Sequence, residues 1–151
     1  MHIIAIGCDH GGIVLKPAIM KYLFDKYESI EIYDVGTYDD TASVDYPIYA
    51  RKVAEAVASG EAEKGILLCG TGIGMSIAAN KVKGIRAAVV SDEFSAAACS
   101  AHNNANILCL GGRVVSPKKA VKLVDLWLTT PFEGDRHNRR LAMIAEMDER
   151  H

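Results

Sequence analysis

The sequence predicts a three-layer α/β fold, with a doubly wound parallel sheet of five strands between two layers of helices. Two observations carry this. Short, apolar, β-branched runs recur along the chain, and a stretch of helical spacing follows each of them. Such runs suit strands buried on both faces, and short connections between parallel strands need a helix that returns along a right-handed path. Size is a third constraint. The 151 residues, half of them hydrophobic, suffice for one core and leave little room for a second, so residues 1–151 are expected to form one domain.

The elements follow in order. The run IIAIGC (3–8) leads into a helical pattern over 13–27. IEIYDV (30–35) comes next, followed by the polar, turn-rich stretch GTYDDTASVDYP (36–47) and a helix over 48–58. Irregular stretches of that length are often functional. GILLC (65–69) precedes a helix over 73–82, IRAAVV (85–90) one over 93–102, and NILCLG (106–111) one over 117–128. Ser116-Pro117 is a strong start for the last of these, giving an N-cap and a proline at the first helical position. A C-terminal helix is expected over about 136–149.

Composition excludes several function classes. The 17 basic and 19 acidic side chains are interspersed and give a formal charge of -2, so no broad cationic face for nucleic acid or anionic lipid is announced. The opening MHIIAIGCDHGG lacks a basic n-region and a long apolar stretch, so neither signal peptide nor membrane span is expected. A cytoplasmic protein acting on a small molecule is the expectation. Cys8, Cys69, Cys99 and Cys109 form no CxxC pair, which argues against structural zinc or a redox couple and for free thiols in a reducing compartment. His2, His10, His102, His137 and His151 show no HExxH-like spacing, and no metal is implied.

In a doubly wound sheet, ligands bind beyond the carboxyl ends of the strands, near the point where strand order reverses. That rule selects Asp9 and His10 after the first strand, Asp45 and Tyr46 after the second and Cys69 with GTGIG after the third. Ser91, Asp92 and Glu93 follow the fourth strand, and Gly111, Gly112 and Arg113 the fifth. In the loop CGTGIG, glycines at 70, 72 and 74 allow a tight turn that aims backbone N–H groups outward. Such donors suit a phosphate or a developing enediolate oxygen, and the same field favours a thiolate at Cys69. Alone, the cysteine reads first as a small buried residue at a strand end. A dinucleotide site is the rival for the glycines, with Asp92 near the required acidic position. However, Met75 stands where the third glycine is needed, and no second domain brings a substrate.

Asp9 is a helix cap or a catalytic carboxylate, and the adjacent His10 favours the latter. His102, Asn103 and Asn104 close the fourth helix, as a cap or as site residues. A helix-to-strand connection normally lies at the opposite edge of the sheet, so His102 would serve the strand-end site only if the helix is displaced or a partner subunit supplies it, which makes a dimer with composite sites attractive. Arg136 and Arg140, four apart, share a helical face and could grip a phosphate, with Arg139 turned away; a solvated basic turn is the alternative. Arg113 is a further phosphate candidate.

The stretches GCDHGG, DYP (45–47), GILLCGTGIGMSIAANKVKGIRAA, HNNANILCLGGRVV and GDRHNRR cover most of the chain, in order, in a pattern that resembles the type B ribose-5-phosphate isomerases, grouped with the galactose-6-phosphate isomerase subunits. The resemblance implies a flavodoxin-like (Rossmann-type) sheet, a homodimer or dimer of dimers with shared sites, and no metal or organic cofactor. It makes Cys69 the base that moves a proton from C2 to C1 of the open-chain aldose. Thr71 and the amides of Gly70, Gly72, Ile73 and Gly74 would hold the enediolate oxygens. His102 would open the furanose ring with Asp9 assisting. His10, Arg136 and Arg140 would bind phosphate, Asn103 and Arg113 would reach across from the second subunit, and Tyr46 would line the pocket. Some members lack this cysteine and carry glutamate at the position of Met75; methionine cannot act as a base, which places this chain in the cysteine-using branch.

The chemistry expected is interconversion of D-ribose 5-phosphate and D-ribulose 5-phosphate, a step of the non-oxidative pentose phosphate pathway. It needs a ring opener, a carbon base, an oxyanion site and an anchor for the uncharged reacting end. Allose 6-phosphate and galactose 6-phosphate are the neighbouring substrates, and a nucleotide-binding regulatory module is the alternative of another class.

Overall fold

Residues 2–149 are described by a computed structural model; His151 lies outside them. Each predicted apolar run forms a strand: β1 (Ile3–Cys8), β2 (Glu31–Asp34), β3 (Lys64–Cys69), β4 (Ala87–Val89) and β5 (Ile107–Gly111). The helices are α1 (Lys16–Lys26), α2 (Tyr46–Ser59), α3 (Ile73–Ala79), α4 (Glu93–Ala101), α5 (Pro117–Thr129) and α6 (Arg136–Asp148). All pairings are parallel, in the order β2-β1-β3-β5-β4. The expected three-layer, doubly wound architecture is present. Within it the last two strands are exchanged relative to the flavodoxin order 2-1-3-4-5. Burial accounts for the exchange. Every residue of β5 is buried, which demands an interior position, whereas β4 is half-buried and leaves Val89 exposed at the edge.

The period-two alternation of the strands divides the core. Ile4, Ile6, Ile66, Leu68, Leu108 and Leu110 face α1, α4 and α5, where Ile19, Leu23, Cys99, Leu123 and Trp127 meet them. Ala5, Leu67, Ile107 and Cys109 face α2 and α3, meeting Val53, Val57, Met75 and Ala79. Met75 is wholly buried in this second layer and offers nothing to a substrate. Among the described residues no helix is long and apolar enough to cross a membrane.

Most boundaries differ from the sequence reading by a residue or two, and three of the differences have a clear local form. Residues 13–15 form a 3-10 turn before α1. The second helix begins at Tyr46 rather than 48, because extended Asp45 is its N-cap and Pro47 suits the first turn. The third stops at Ala79 rather than 82, because the Asn80 side chain leaves the helix to bond the backbone N and O of Ala87 at 2.8 and 2.9 Å. The sixth helix buries only His137 and leaves Met143, Ile144 and Met147 exposed at helical spacing, an apolar stripe uncovered by its own chain.

The long loop after β2 is tied down by Lys16. Its ammonium sits 2.7 Å from Asp34 Oδ2, donates to Thr37 O at 3.1 Å and lies over the Tyr38 ring. Removing one member of a buried pair strands the other charge. Lys16→Met should therefore lower unfolding stability by about 3 kcal/mol, read from urea denaturation; an unchanged midpoint would show that solvent already screens Asp34.

Candidate active site

The loops after β1, β3 and β5 converge where the winding direction reverses. Their backbones touch: a Cβ on Gly112 would lie 2.2 Å from Gly11 O, so no larger residue fits. Gly112 N donates to Cys69 O at 2.8 Å and Arg113 N to Gly70 O at 3.0 Å. The loops that carry Asp9, Cys69 and Arg113, two catalytic candidates and a phosphate candidate from separate strands, are thereby locked together.

Cys69 ends β3 and is 5 % exposed. Its Sγ accepts the Gly72 N–H at 3.0 Å, made possible by the left-handed conformation of Gly72, φ 81°. The Thr71 hydroxyl oxygen accepts the Ile73 N–H at 3.2 Å. Two amides assigned from sequence to the enediolate, those of Gly72 and Ile73, are thus engaged within the loop. Gly74, in the first turn of α3, has no intrahelical acceptor for its N–H. Tyr46 lies over this turn, so close that a Cβ on Gly74 would sit 2.6 Å from its ring.

Asp9 is buried, and its Oδ1 accepts the N–H groups of Gly11 and Gly12 at 2.8 and 3.0 Å. That oxygen closes a turn rather than capping a helix, since the 3-10 turn and α1 are capped by Gly12 and Leu15; Oδ2 takes none of these bonds. His10 Nδ1 accepts the Val44 N–H at 3.3 Å, which fixes the loop after β2 and leaves Nε2 as its free edge. Arg113 was expected to reach across from the second subunit; within its own chain its guanidinium covers Gly70, with NH1 3.0 Å from where a Cβ would stand. It forms no ion pair among the described residues, so its charge is available to an anion.

The remaining candidates lie elsewhere. His102 caps the C-terminus of α4, and Asn104 follows in the left-handed region at φ 47°. Arg136 and Arg140 lie exposed on α6. All belong to the end of the sheet where β5 begins, and β5 separates them from Cys69 by roughly 16 Å at about 3.3 Å per residue. His10 and the Arg136/Arg140 pair, grouped from sequence as one phosphate anchor, are therefore not brought together within a chain.

Around His102 the structure adds two residues that sequence reasoning missed. The His137 ring stacks on that of His102 with centroids 4.6 Å apart, and Glu133 Oε1 lies 3.7 Å from His137 Nε2 and 4.0 Å from His102 Nε2. The i,i+4 spacing of Glu133 and His137 was the available signal. Two ties place this cluster: Glu133 N donates to Ala101 O at 3.0 Å, and Trp127 Nε1 to Ala105 O at 2.9 Å. Among the described residues it is also the one group of three potential metal-ligating side chains, with ligand atoms within 4.8 Å.

The profile of the ribose/galactose isomerase family matches residues 4–144. Ribose-5-phosphate isomerase B of Escherichia coli (strain K12) is 47% identical over 147 residues, 97% of each chain. The solved structure of ribose-5-phosphate isomerase B from Clostridium thermocellum superposes with a TM-score of 0.93 at 49% identity, covering 98% of each chain. That of type B ribose 5-phosphate isomerase from Trypanosoma brucei does so at 0.92 and 44%, covering 97% of this chain and 99% of that one. The match runs through both the Cys69 loop and the His102 cluster, and by its extent the chain belongs to the ribose/galactose isomerase family.

Proposed function

We propose that the chain interconverts D-ribose 5-phosphate and D-ribulose 5-phosphate, with Cys69 as the carbon base. The observation that carries this is the Cys69 sulfur, held as an acceptor by Gly72 N–H between the Asp9 carboxylate and the Arg113 guanidinium loops. Its relatives named ribose-5-phosphate isomerase B support the substrate.

Each site is proposed to be shared in a homodimer. One chain supplies Asp9, His10, Tyr46, Cys69, Thr71, Gly74 and Arg113; the second supplies His102, Asn103, Arg136 and Arg140. Support comes from the separation of the two sets within a chain and from uncovered apolar groups beside each. Ile73, Ile77, Val114 and the 80 % exposed Phe94 surround the first, and the α6 stripe adjoins the second. Four free, buried cysteines fit a reducing compartment, and we place the enzyme in the cytoplasm.

The residues then have assigned tasks. His102 protonates the ring oxygen as the anomeric hydroxyl loses its proton, giving the open aldehyde. Cys69 thiolate removes the C2 proton; the electrons move to O1, held by the Thr71 hydroxyl and the Gly70 and Gly74 amides. Asp9 carries the proton from O2 to O1. Cys69 returns its proton to C1, so C2 is oxidised and C1 reduced without an external acceptor. His10, Arg113, Arg136 and Arg140 hold the phosphate, keeping the uncharged end in register.

A panel of aldose phosphates tests the assignment. Ribose 5-phosphate should exceed allose 6-phosphate and galactose 6-phosphate in kcat/KM by at least about tenfold, the discrimination one extra carbon typically gives a closed pocket. A six-carbon substrate turned over as well or better would reassign the chain.

A further inference from the structure

His137 is more than nine-tenths buried, yet its Nε2 is the one buried side-chain nitrogen or oxygen without a hydrogen-bond partner among the described residues. The ring stands face to face with that of His102, 17° from parallel, with Glu133 along the Nε2 edges of both. Three such side chains suggest a metal, but the geometry opposes it. A bound ion lies in the plane of each ligating imidazole about 2.0–2.1 Å from nitrogen, and two nearly parallel rings with centroids 4.6 Å apart share no such point. The arrangement is a stack with a carboxylate beside it.

We propose that His137 is a positioning residue for ring opening: its buried ring fixes the plane of the half-exposed His102 imidazole, with the Glu133 carboxylate lying along the Nε2 edge, so that His102 meets the sugar ring oxygen already oriented. The inference rests on His102 as the ring opener. Desolvation foremost, then Arg136, His102 and Arg140, press His137 below the ordinary histidine value of 6.5, with Glu133 opposing. A depressed value keeps the ring neutral above 6.5, and protonation comes only as pH falls further. The groups facing it are His102 at the C-cap of α4, Glu133 before α6, and Arg136 and Arg140 on α6, so acidification sets a cation beside the two guanidinium groups and weakens the stack.

Two assays separate ring opening from carbon chemistry. Ribulose 5-phosphate has its C5 hydroxyl esterified and cannot close a furanose, so exchange of its C1 hydrogen with D2O, followed by proton NMR, requires Cys69 but no ring opener. His137→Ala should lower kcat on ribose 5-phosphate about tenfold, leave KM within about twofold, and leave C1 exchange unchanged. His137→Phe, which keeps a stacking ring, should retain more than half of wild-type kcat and lose the acid-side weakening. Should the alanine variant fail to fold, His137→Leu, of similar bulk without an aromatic face, takes its place with the same expectation. Equal slowing of both assays, wild-type behaviour in both, or tight Zn2+ binding abolished by His137→Phe would overturn the inference. His102→Ala reports separately on the underlying reading: it should abolish ribose 5-phosphate conversion and spare C1 exchange, and intact conversion in that variant would sink the ring-opening role whatever His137→Ala does.

Discussion

Cys69→Ala should lower kcat on ribose 5-phosphate by at least about a thousandfold, within the range a positioned general base contributes, while the protein folds and melts much as the parent does. The side chain removed is small and sits at a strand end, and the hydrogen bond lost with it is the one its sulfur accepts from Gly72 N–H. The loop shape comes from Gly72, Gly112 and the backbone bonds to Cys69 O and Gly70 O, none of which needs the sulfur. No other thiol can substitute. Burial pushes Cys8 and Cys99 up to about 11, and pushes Cys109, enclosed within β5, higher still. At neutral pH these three stay protonated and point into the core. With Cys69 proposed as the base for both directions of the proton transfer, C1 exchange of ribulose 5-phosphate should fall with kcat. Near-wild-type turnover in a folded Cys69→Ala protein would remove the thiolate from the mechanism and leave Asp9 as the remaining candidate base.

The half of the site near Cys69 was legible in the sequence because it is local. GCDHGG, CGTGIG and LGGR each follow an apolar run, and the rule that ligands gather at the carboxyl ends of parallel strands needs only those runs to be found. The place of Arg113 over Gly70 of its own chain was not legible, because the close approach of Gly112 to Gly11 that accompanies it is a contact between loops about 100 residues apart. The strand order was hidden for a related reason: β4 and β5 carry similar runs, and only the full burial of β5 assigns it the inner place. The stack of His102 on His137 was the least legible part. It joins residues separated by the whole of α5, and the docking of Trp127 against Ala105, not any local pattern, sets their meeting.

Mixing two inactive variants, Cys69→Ala and His102→Ala, should restore roughly a quarter of wild-type activity, because a two-fold symmetric dimer builds both of its sites from the same pair of complementary patches. After subunit exchange at equal concentrations, half of the dimers carry one chain of each kind. In such a dimer, one site receives both defects and the other receives intact Cys69 from the His102→Ala chain and intact His102 from the Cys69→Ala chain. That second site is complete, so half of the dimers work at half capacity. The alternative, a site made within one chain, predicts no recovery at any ratio, since each chain then carries its own defect. The separation along β5 favours recovery: His102 would have to cross roughly 16 Å, the length of the strand, to reach the substrate of its own Cys69. Arg113 provides the control that distinguishes the halves. It covers Gly70 of its own chain, so Arg113→Ala should complement His102→Ala and fail to complement Cys69→Ala. Activity is read from ketose formation after denaturant-assisted exchange, and the unmixed variants carried through the same treatment set the baseline.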